Sequence, residues 1–379
     1  MQEVFFMLKK LVFLGLFAAL AVPAFALDVN NTPVTELTSA RVRRVLAVPD
    51  IMGMKTLKGD FHIHTMFSDG VVWPEVRVME AWMDGLDAIS ITDHLEKHPS
   101  KEGVKDDDNL SNRIAFPAAV QHDILLVRGA EISKDMPPGH YNALFVKDQA
   151  AIENEDFMKS VEEAINQGAF LQWNHPGWKR QQPEVTNWND AAETLVKKGW
   201  VHGIEVFNSD EWYPVALGWC MDRNLAVTAN SDMHGIIRQQ YDLTKVQRPM
   251  TLIFAKERSL DALKEAMFAG RTAAWFGNSL AGKKEYLEAL FRASVTVMPP
   301  HTVDRDGNLV FHVSNATDLP FALTCPAAGW KDSVLAPRTA IMLKAPKGTE
   351  TLQVSVSNCH TNLNETLALE LAIPAKKDN

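Results

Sequence analysis

His62 and His64 stand two residues apart at the end of an apolar run, in Gly59-Asp60-Phe61-His62-Ile63-His64-Thr65. Far along the chain, Asp232-Met233-His234 closes another such run. Alternate residues of an extended strand share a face, so two imidazoles at this spacing reach one cation together. A carboxylate and a further imidazole from a distant strand would complete the coordination. The pattern predicts a metal-dependent hydrolase.

Such a centre needs a scaffold that gathers strand ends. Seven short apolar runs, at 57–63, 87–92, 124–130, 141–146, 169–173, 203–207 and 225–229, read as strands. Amphipathic stretches at 74–85, 156–167, 190–198 and 214–223 lie between several of them. Near-continuous apolar strands separated by helices predict a parallel sheet covered on its faces. Seven strands fit a distorted (β/α) barrel better than the eight of a full TIM barrel, and in such barrels chemistry sits at the C-terminal strand ends. His62 and His64 follow the first run, Asp93-His94 the second, Glu131 the third, Asn174-His175 the fifth, Asn208 the sixth, and Asn230, Asp232 and His234 the seventh. His140 opens the fourth, a less regular placement. Residues 95–113, with Asp106-Asp107-Asp108, read as a solvated loop, or alternatively as a lid beside the site. A further strand and helix at 251–255 and 259–270 would close the barrel. From 284 the pattern turns to alternating strands at 295–298, 309–313, 340–343 and 352–356, a small all-β module.

The 379 residues carry a formal charge of -9, which speaks against a nucleic-acid groove. Lys9-Lys10, the apolar run 11–22 and Pro23-Ala24-Phe25-Ala26 have the form of a secretory signal peptide cleaved after Ala26. The run is short for a membrane span, which needs ~20 residues. The expected organisation is therefore a signal peptide at 1–26, a lead-in at 27–56, the barrel at 57–283 and the β-rich module at 284–379. The mature protein would be periplasmic or secreted, with no stable membrane anchor. Cys220, Cys325 and Cys359 lack zinc-knuckle or redox spacing; Cys325 and Cys359 are either bridged or buried free thiols.

The candidate ligands are His62, His64, Asp69, His94, Glu131, His140, His175, Asp232 and His234, which include six of the twelve histidines. Asp69 also suits a turn in Ser-Asp-Gly, and His140 a cap on Pro137-Pro138-Gly139. Mixed imidazole and carboxylate without thiolate suits Zn, Mn or Fe, and nine ligands suit two or three divalent ions that share a bridging carboxylate. His98, His122, His202, His301, His312 and His360 lack such placement and read as surface or packing residues.

The ordered motifs Gly-Asp-Phe-His-x-His-Thr-x-x-Ser-Asp-Gly, Ile-Thr-Asp-His, Gly-x-Glu-Ile, Asn-His-Pro and Asn-Ser-Asp-x-His resemble the PHP (polymerase and histidinol phosphatase) superfamily of metal-dependent phosphoesterases, over residues 57–277. Segments 70–74, 136–141, 173–178 and 248–255 look like the secreted Sb-PDE phosphodiesterases. The resemblance implies a seven-stranded barrel with a trinuclear centre. His62, His64, Glu131 and Asp232 would hold the first metal and its activated water. Glu131 would bridge to a second, completed by His140 and His175, and Asp69, His94 and His234 would hold the third. The amidohydrolases also use His-x-His after a first strand, but often bridge their metals with a carboxylated Lys. No Lys ends the third, fifth or sixth strand here.

Phosphate needs counter-charge, for which Lys179, Arg180, Arg238 and Arg271 are the candidates; Trp73, Trp173, Trp178 and Trp212 would wall an organic ester group. The expected activity is hydrolysis of small organic phosphodiesters. The alternatives are a phosphomonoesterase on the same centre, an amidohydrolase-type hydrolase, or a non-catalytic metal-binding protein.

Overall fold

The computed structural model describes residues 42–97 and 107–375. The expected signal peptide and the insertion through Asp106 from residue 98 lie outside the described residues. The chain has a mixed α/β fold on a large central sheet of 15 strands. In chain order the first elements are β1 (Lys55–Ile63), α1 (Pro74–Asp84), β2 (Ala88–Ile91), α2 (Leu110–Gln121), β3 (Leu125–Ser133) and β4 (His140–Leu144). Next come α3 (Phe157–Asn166), β5 (Phe170–Trp173), α4 (Asp190–Lys197), β6 (Val201–Asn208), β7 (Glu211–Trp212), α5 (Pro214–Arg223), β8 (Ala226–Asn230) and α6 (Ile237–Gln240). Then follow β9 (Met250–Ala255), α7 (Leu260–Phe268), β10 (Thr272–Phe276), β11 (Ser279–Gly282) and α8 (Lys284–Ser294).

Local chemistry sets several boundaries. Pro74 opens α1, where a missing N–H costs nothing, and Gly85 ends it at φ 86°. Asp156, Asn189 and Ser259 cap α3, α4 and α7 through their side-chain oxygens. Helix α2 was not expected. It starts inside the predicted loop and contains Pro117, and its apolar residues follow no clear helical stripe.

Parallel pairing joins β1 to β2, β2 to β3, β5 to β6 and β6 to β8. The sheet nevertheless departs from the all-parallel expectation. Strand β4 is antiparallel to both β3 and β5. Only residues 134–139 separate β3 from β4, too few for the crossover of about a dozen that a parallel return requires. Strands β9 and β10 are likewise antiparallel, with β9 against β1. A parallel bridge between Ile63 and Met233 brings the segment after β8 beside the end of β1.

Past β11 the structure corrects a second expectation, because residues 284–294 are helical. Tyr286, Leu287, Leu290 and Phe291 form a buried helical stripe that alternation counting passes over. After α8 come β12 (Val295–Val297), β13 (Thr302–Val303), β14 (Leu309–Asn315), β15 (Phe321–Cys325), β16 (Trp330–Leu335), β17 (Ala340–Ala345), β18 (Thr351–Asn362) and β19 (Glu365–Ala372). Strands β15, β16, β18 and β19 extend the central sheet through parallel pairing of β18 with β11. Strands β12, β13, β14 and β17 form a separate sheet. Phe311 and Val313 of that sheet share one core with Phe321, Leu323 and Val354. Cys220, Cys325 and Cys359 are buried free thiols. No helix among the described residues is long and apolar enough to cross a membrane.

Candidate metal centre

Strand direction gathers the nine expected ligands. The ends of β1, β2, β3, β5 and β8 present His62 and His64, His94, Glu131, His175, and Asp232 with His234. Because β4 runs the other way, its first residue, His140, pairs with Ser133 at the end of β3 and joins them. That resolves the irregular placement of His140 in the sequence. Gly70 is needed where it stands: a Cβ there would lie 2.8 Å from the His64 carbonyl carbon, blocking the turn that presents Asp69. His175 at φ 26° and Asp232 at φ 53° hold backbone conformations that L residues rarely adopt. Hydrogen bonds fix both, from His175 N–H to Glu205 Oε2 and from Asp232 N–H to the His62 carbonyl, each 2.8 Å.

The donor atoms fall into four overlapping groups, each with its atoms within 4.8 Å of one another. These are His64, Asp69, His94 and His234; His62, His64 and Asp232; His62, Glu131 and His175; and His94, Glu131 and His140. Asp232 Oδ1 lies 3.2 Å from His62 Nε2 and 3.0 Å from His64 Nε2. Glu131 Oε1 lies 3.3 Å from His62 Nε2 and 3.1 Å from His140 Nδ1, while its Oε2 lies 2.7 Å from His94 Nδ1. Asp69 Oδ1 is 3.0 Å from His234 Nε2. Glu131 thus stands between groups, where a bridging carboxylate belongs. One detail differs from the grouping the resemblance implies: His140 clusters with His94 and Glu131, and His175 with His62 and Glu131.

The set fits metal ions on its own chemistry. His62 Nε2, His64 Nε2 and Asp69 Oδ1 are buried without a hydrogen-bond partner. Buried polar atoms are otherwise almost always paired, so converging orphans mark a place for a cation. Nitrogen and oxygen donors without thiolate suit divalent transition metals. The field is strongly anionic as well. Burial lowers the His62 pKa, but Asp232, Glu205 and Glu131 outweigh it and raise it well above the usual value. Burial also opposes protonated His94, yet Glu131 and Asp69 raise it to about 9. His64 shows the opposite balance: burial, then His94 and His234, push it down to about 3.

Around the ligands lie positioning residues to which the sequence reading gave no role. Glu205, fully buried in β6, takes His62 Nδ1 at 2.9 Å and also accepts from Asn230 Nδ2 and Asn208 Nδ2. A carboxylate behind an imidazole sets its tautomer and turns the other nitrogen to the metal. An acidic residue inside the apolar run Ile204-Glu205-Val206 was the available signal. Asp93 pins the Asp69 loop by accepting from Thr65 N–H, Thr65 Oγ1 and Ser68 Oγ. Arg77, on the buried face of α1, donates to the carbonyls of His64, Met233, His234 and Gly235, sewing both ligand loops together. Arg248 binds Asp60 and Asp84 beneath the centre.

Among the described residues, cavities open on the ligands. One of about 250 Å³ is lined by ligands together with Lys97, Trp178 and Arg180; a second of about 280 Å³ shares Trp178, Asp232 and His234 with it. Among the cations expected to bind phosphate, only Arg180 lines a cavity, lying over Trp178 at 5.6 Å. Lys179 is exposed and lines neither, and Lys97 was missed. Arg238 turns its guanidinium to Asp84 at 3.5 Å and lines neither cavity. Arg271 is held by Glu265 and the Phe254 carbonyl and also lines neither cavity. Of the four tryptophans, only Trp178 lines these cavities. Trp173 is buried against Trp188 and Trp219, Trp212 stacks on Phe207, and Trp73 packs on Phe67.

The geometry is that of a candidate site for divalent metal ions. No protein-family profile matches the chain, and no curated protein matches it. Among solved structures, the chain is similar to a two-domain protein from Bacteroides vulgatus containing a predicted PHP-like metal-dependent phosphoesterase. The two are 39% identical, aligned over 87% of this chain and 99% of that one, with a TM-score of 0.83. The chain belongs to the PHP-like metal-dependent phosphoesterase family. Weaker likenesses are to a candidate metal-dependent phosphoesterase from Bifidobacterium adolescentis (16% identity, 47% of this chain and 88% of that one, TM-score 0.36) and to an amidohydrolase from Chromobacterium violaceum (13%, 47% and 87%, TM-score 0.36). At those scores neither bears on function.

Proposed function

We propose that this metal-dependent phosphoesterase is an exported phosphodiesterase of the Sb-PDE type acting on small organic diesters. On this reading β1 to β6 and β8 are the seven barrel strands, the C-terminal residues form a β module, and the nine ligands hold two to three Zn, Mn or Fe ions. Such ions, when bound, polarise a water and offset phosphoryl charge. The chain's own residues do the rest. Glu205 and Arg77 hold His62, His64 and His234 in place, Arg180 and Lys97 face the phosphoryl oxygens, and Trp178 forms the wall between the two cavities. What supports the diester reading is space beyond the phosphoryl site: a second cavity opens on Asp232 and His234 beside the one that Lys97 and Arg180 line. The substrate is a small phosphoester rather than a nucleic acid.

A second reading, a phosphomonoesterase, draws on Lys97 and Arg180, which together would balance a dianionic phosphate. Metal-reconstituted protein assayed side by side on matched alkyl diesters and monoesters, with a chelator control, separates the two. We expect diester turnover that the chelator abolishes; turnover of monoesters alone would reverse the assignment. Export rests on the Lys9-Lys10, 11–22 and Ala24-Phe25-Ala26 pattern. Intact mass of the native protein should place the mature start at Leu27, and retention of residues 1–26 would refute cleavage.

A further inference from the structure

The two cavities beside the ligands differ in chemistry. The first carries Lys97 and Arg180. The second is lined by Asn208, Ser209, Asp210, Glu211 and Gln240 together with the shared wall, and none of its lining among the described residues is Lys or Arg. It is built on the β6–β7 hairpin, where Asn208 pairs with Glu211 and Ser209 makes the turn at φ 51°. Gln240 Nε2 donates to Ser209 Oγ at 2.8 Å and steadies the turn from α6. Glu211 is engaged by the Tyr213 hydroxyl, whereas Asp210 is exposed at the tip.

Asn208 supplies the second line of argument. The residue is 4% exposed and lines this cavity. Its Nδ2 donates to Glu205 at 2.8 Å, which leaves Oδ1 as the atom of the amide that can accept. As an acceptor lining the cavity it can take a ligand hydroxyl or ammonium. The cavity thus offers acceptors and negative charge, and it repels a phosphoryl group. Its volume equals about nine waters at ~30 Å³ each, the size of a three- or four-carbon polar group.

We propose that this cavity is the leaving-alcohol subsite and that it selects phosphodiesters whose alcohol is short and rich in hydrogen-bond donors, as in glycerol or ethanolamine. The inference rests on the phosphodiesterase reading and adds the substrate's chemistry to it. In the reaction the water oxygen bonds to phosphorus as the P–O bond to the alcohol breaks. The departing alkoxide takes up the proton that the water gives up. The phosphoryl group faces Lys97 and Arg180, and the alcohol's donors face Asn208 Oδ1 and Asp210. A site built to pair such donors discriminates against an analogue that lacks them, because its acceptors are then left unpaired.

The test uses metal-loaded full-length protein and three diesters, those of glycerol, of ethanolamine and of n-propanol, with hydrolysis followed by phosphorus NMR. Asp210→Asn, which keeps the shape of the hairpin, and Asp210→Lys are compared with the wild type. We expect the kcat/KM ratios of the glycerol and ethanolamine diesters over the propyl diester to fall in both variants. The fall should reach at least about tenfold for ethanolamine in Asp210→Lys, where a cation faces a cation. If the ratios stay constant while diesters are turned over, the subsite assignment fails and the phosphodiesterase reading stands. If only monoesters are turned over, the phosphodiesterase reading fails and takes the subsite with it.

Discussion

Two buried polar clusters lie close together along β1, and they are finished in opposite ways. At His62 and His64, imidazole and carboxylate atoms crowd at 3.0–3.3 Å while His62 Nε2, His64 Nε2 and Asp69 Oδ1 remain unpaired. Two residues earlier, Asp60 accepts from Arg248, Ser231 N–H and Ser231 Oγ, and Arg248 also donates to Asp84 and Ser231 Oγ, leaving only its Nε unpaired. Both clusters bear the desolvation cost of buried charge. The lower one is offset almost entirely by partners from the chain, whereas the upper one keeps unpaired converging atoms, so the lower is framework and the upper is suited to ions.

The sharpest way to break this contrast is to remove a charge from the lower cluster. Arg248→Met would strand the Asp60 and Asp84 carboxylates in the interior, and removing one partner of a buried pair costs about 3–5 kcal/mol. Urea unfolding of metal-free protein should show a loss of that size. An unchanged midpoint would mean that the network is not structural. In the upper cluster Glu131→Gln keeps the shape and removes the charge that neighbouring cations would share. We expect metal content to fall by elemental analysis and esterase activity to drop at least ~10²-fold, about 2.7 kcal/mol of transition-state stabilisation, in a protein that still folds. Normal metal content and turnover would remove Glu131 from the bridging position.

The same contrast explains what was legible in the sequence. The ligands at strand ends are polar residues that interrupt apolar runs, so their spacing announced them, and all nine meet in space. The supports were hidden. Arg77 and Asp84 occupy the buried stripe of α1 and look like ordinary charges on an amphipathic helix. Arg248 gains meaning only when β9 lies against β1. Strand positions were readable from apolar runs, whereas the antiparallel direction of β4 depends on the shortness of the 134–139 link. Helix α8 escaped because a short buried stripe looks much like the strands that follow. Basic residues near a motif in sequence need not lie beside it in space: Arg180 lines a cavity on the ligands, and Lys179, Arg238 and Arg271 line neither cavity.

A milder change tests the mouth of the upper cluster. Arg180→Ala should raise KM about tenfold, roughly 1.4 kcal/mol, with metal content intact, because a charge-assisted contact to phosphate would be lost while no ligand is touched. Loss of metal in this variant would show that Arg180 supports the centre rather than the substrate.

The smallest effect is expected from Arg271→Ala, and it is informative because the sequence nominated Arg271 alongside Arg180. Arg271 follows α7, and its guanidinium is spent on Glu265 and on the Phe254 carbonyl. Glu265 is exposed, and exposed ion pairs contribute little to stability because water already solvates both partners. Activity should therefore stay within about twofold of the wild type and Tm within about 2 °C, as for a surface substitution away from special features. Arg180→Ala and Arg271→Ala, assayed together, separate nearness in sequence from nearness in space. If Arg271→Ala raised KM as much as Arg180→Ala, the substrate would have to reach the α7 end of the sheet, and the cavities described around Trp178 would not be where it binds.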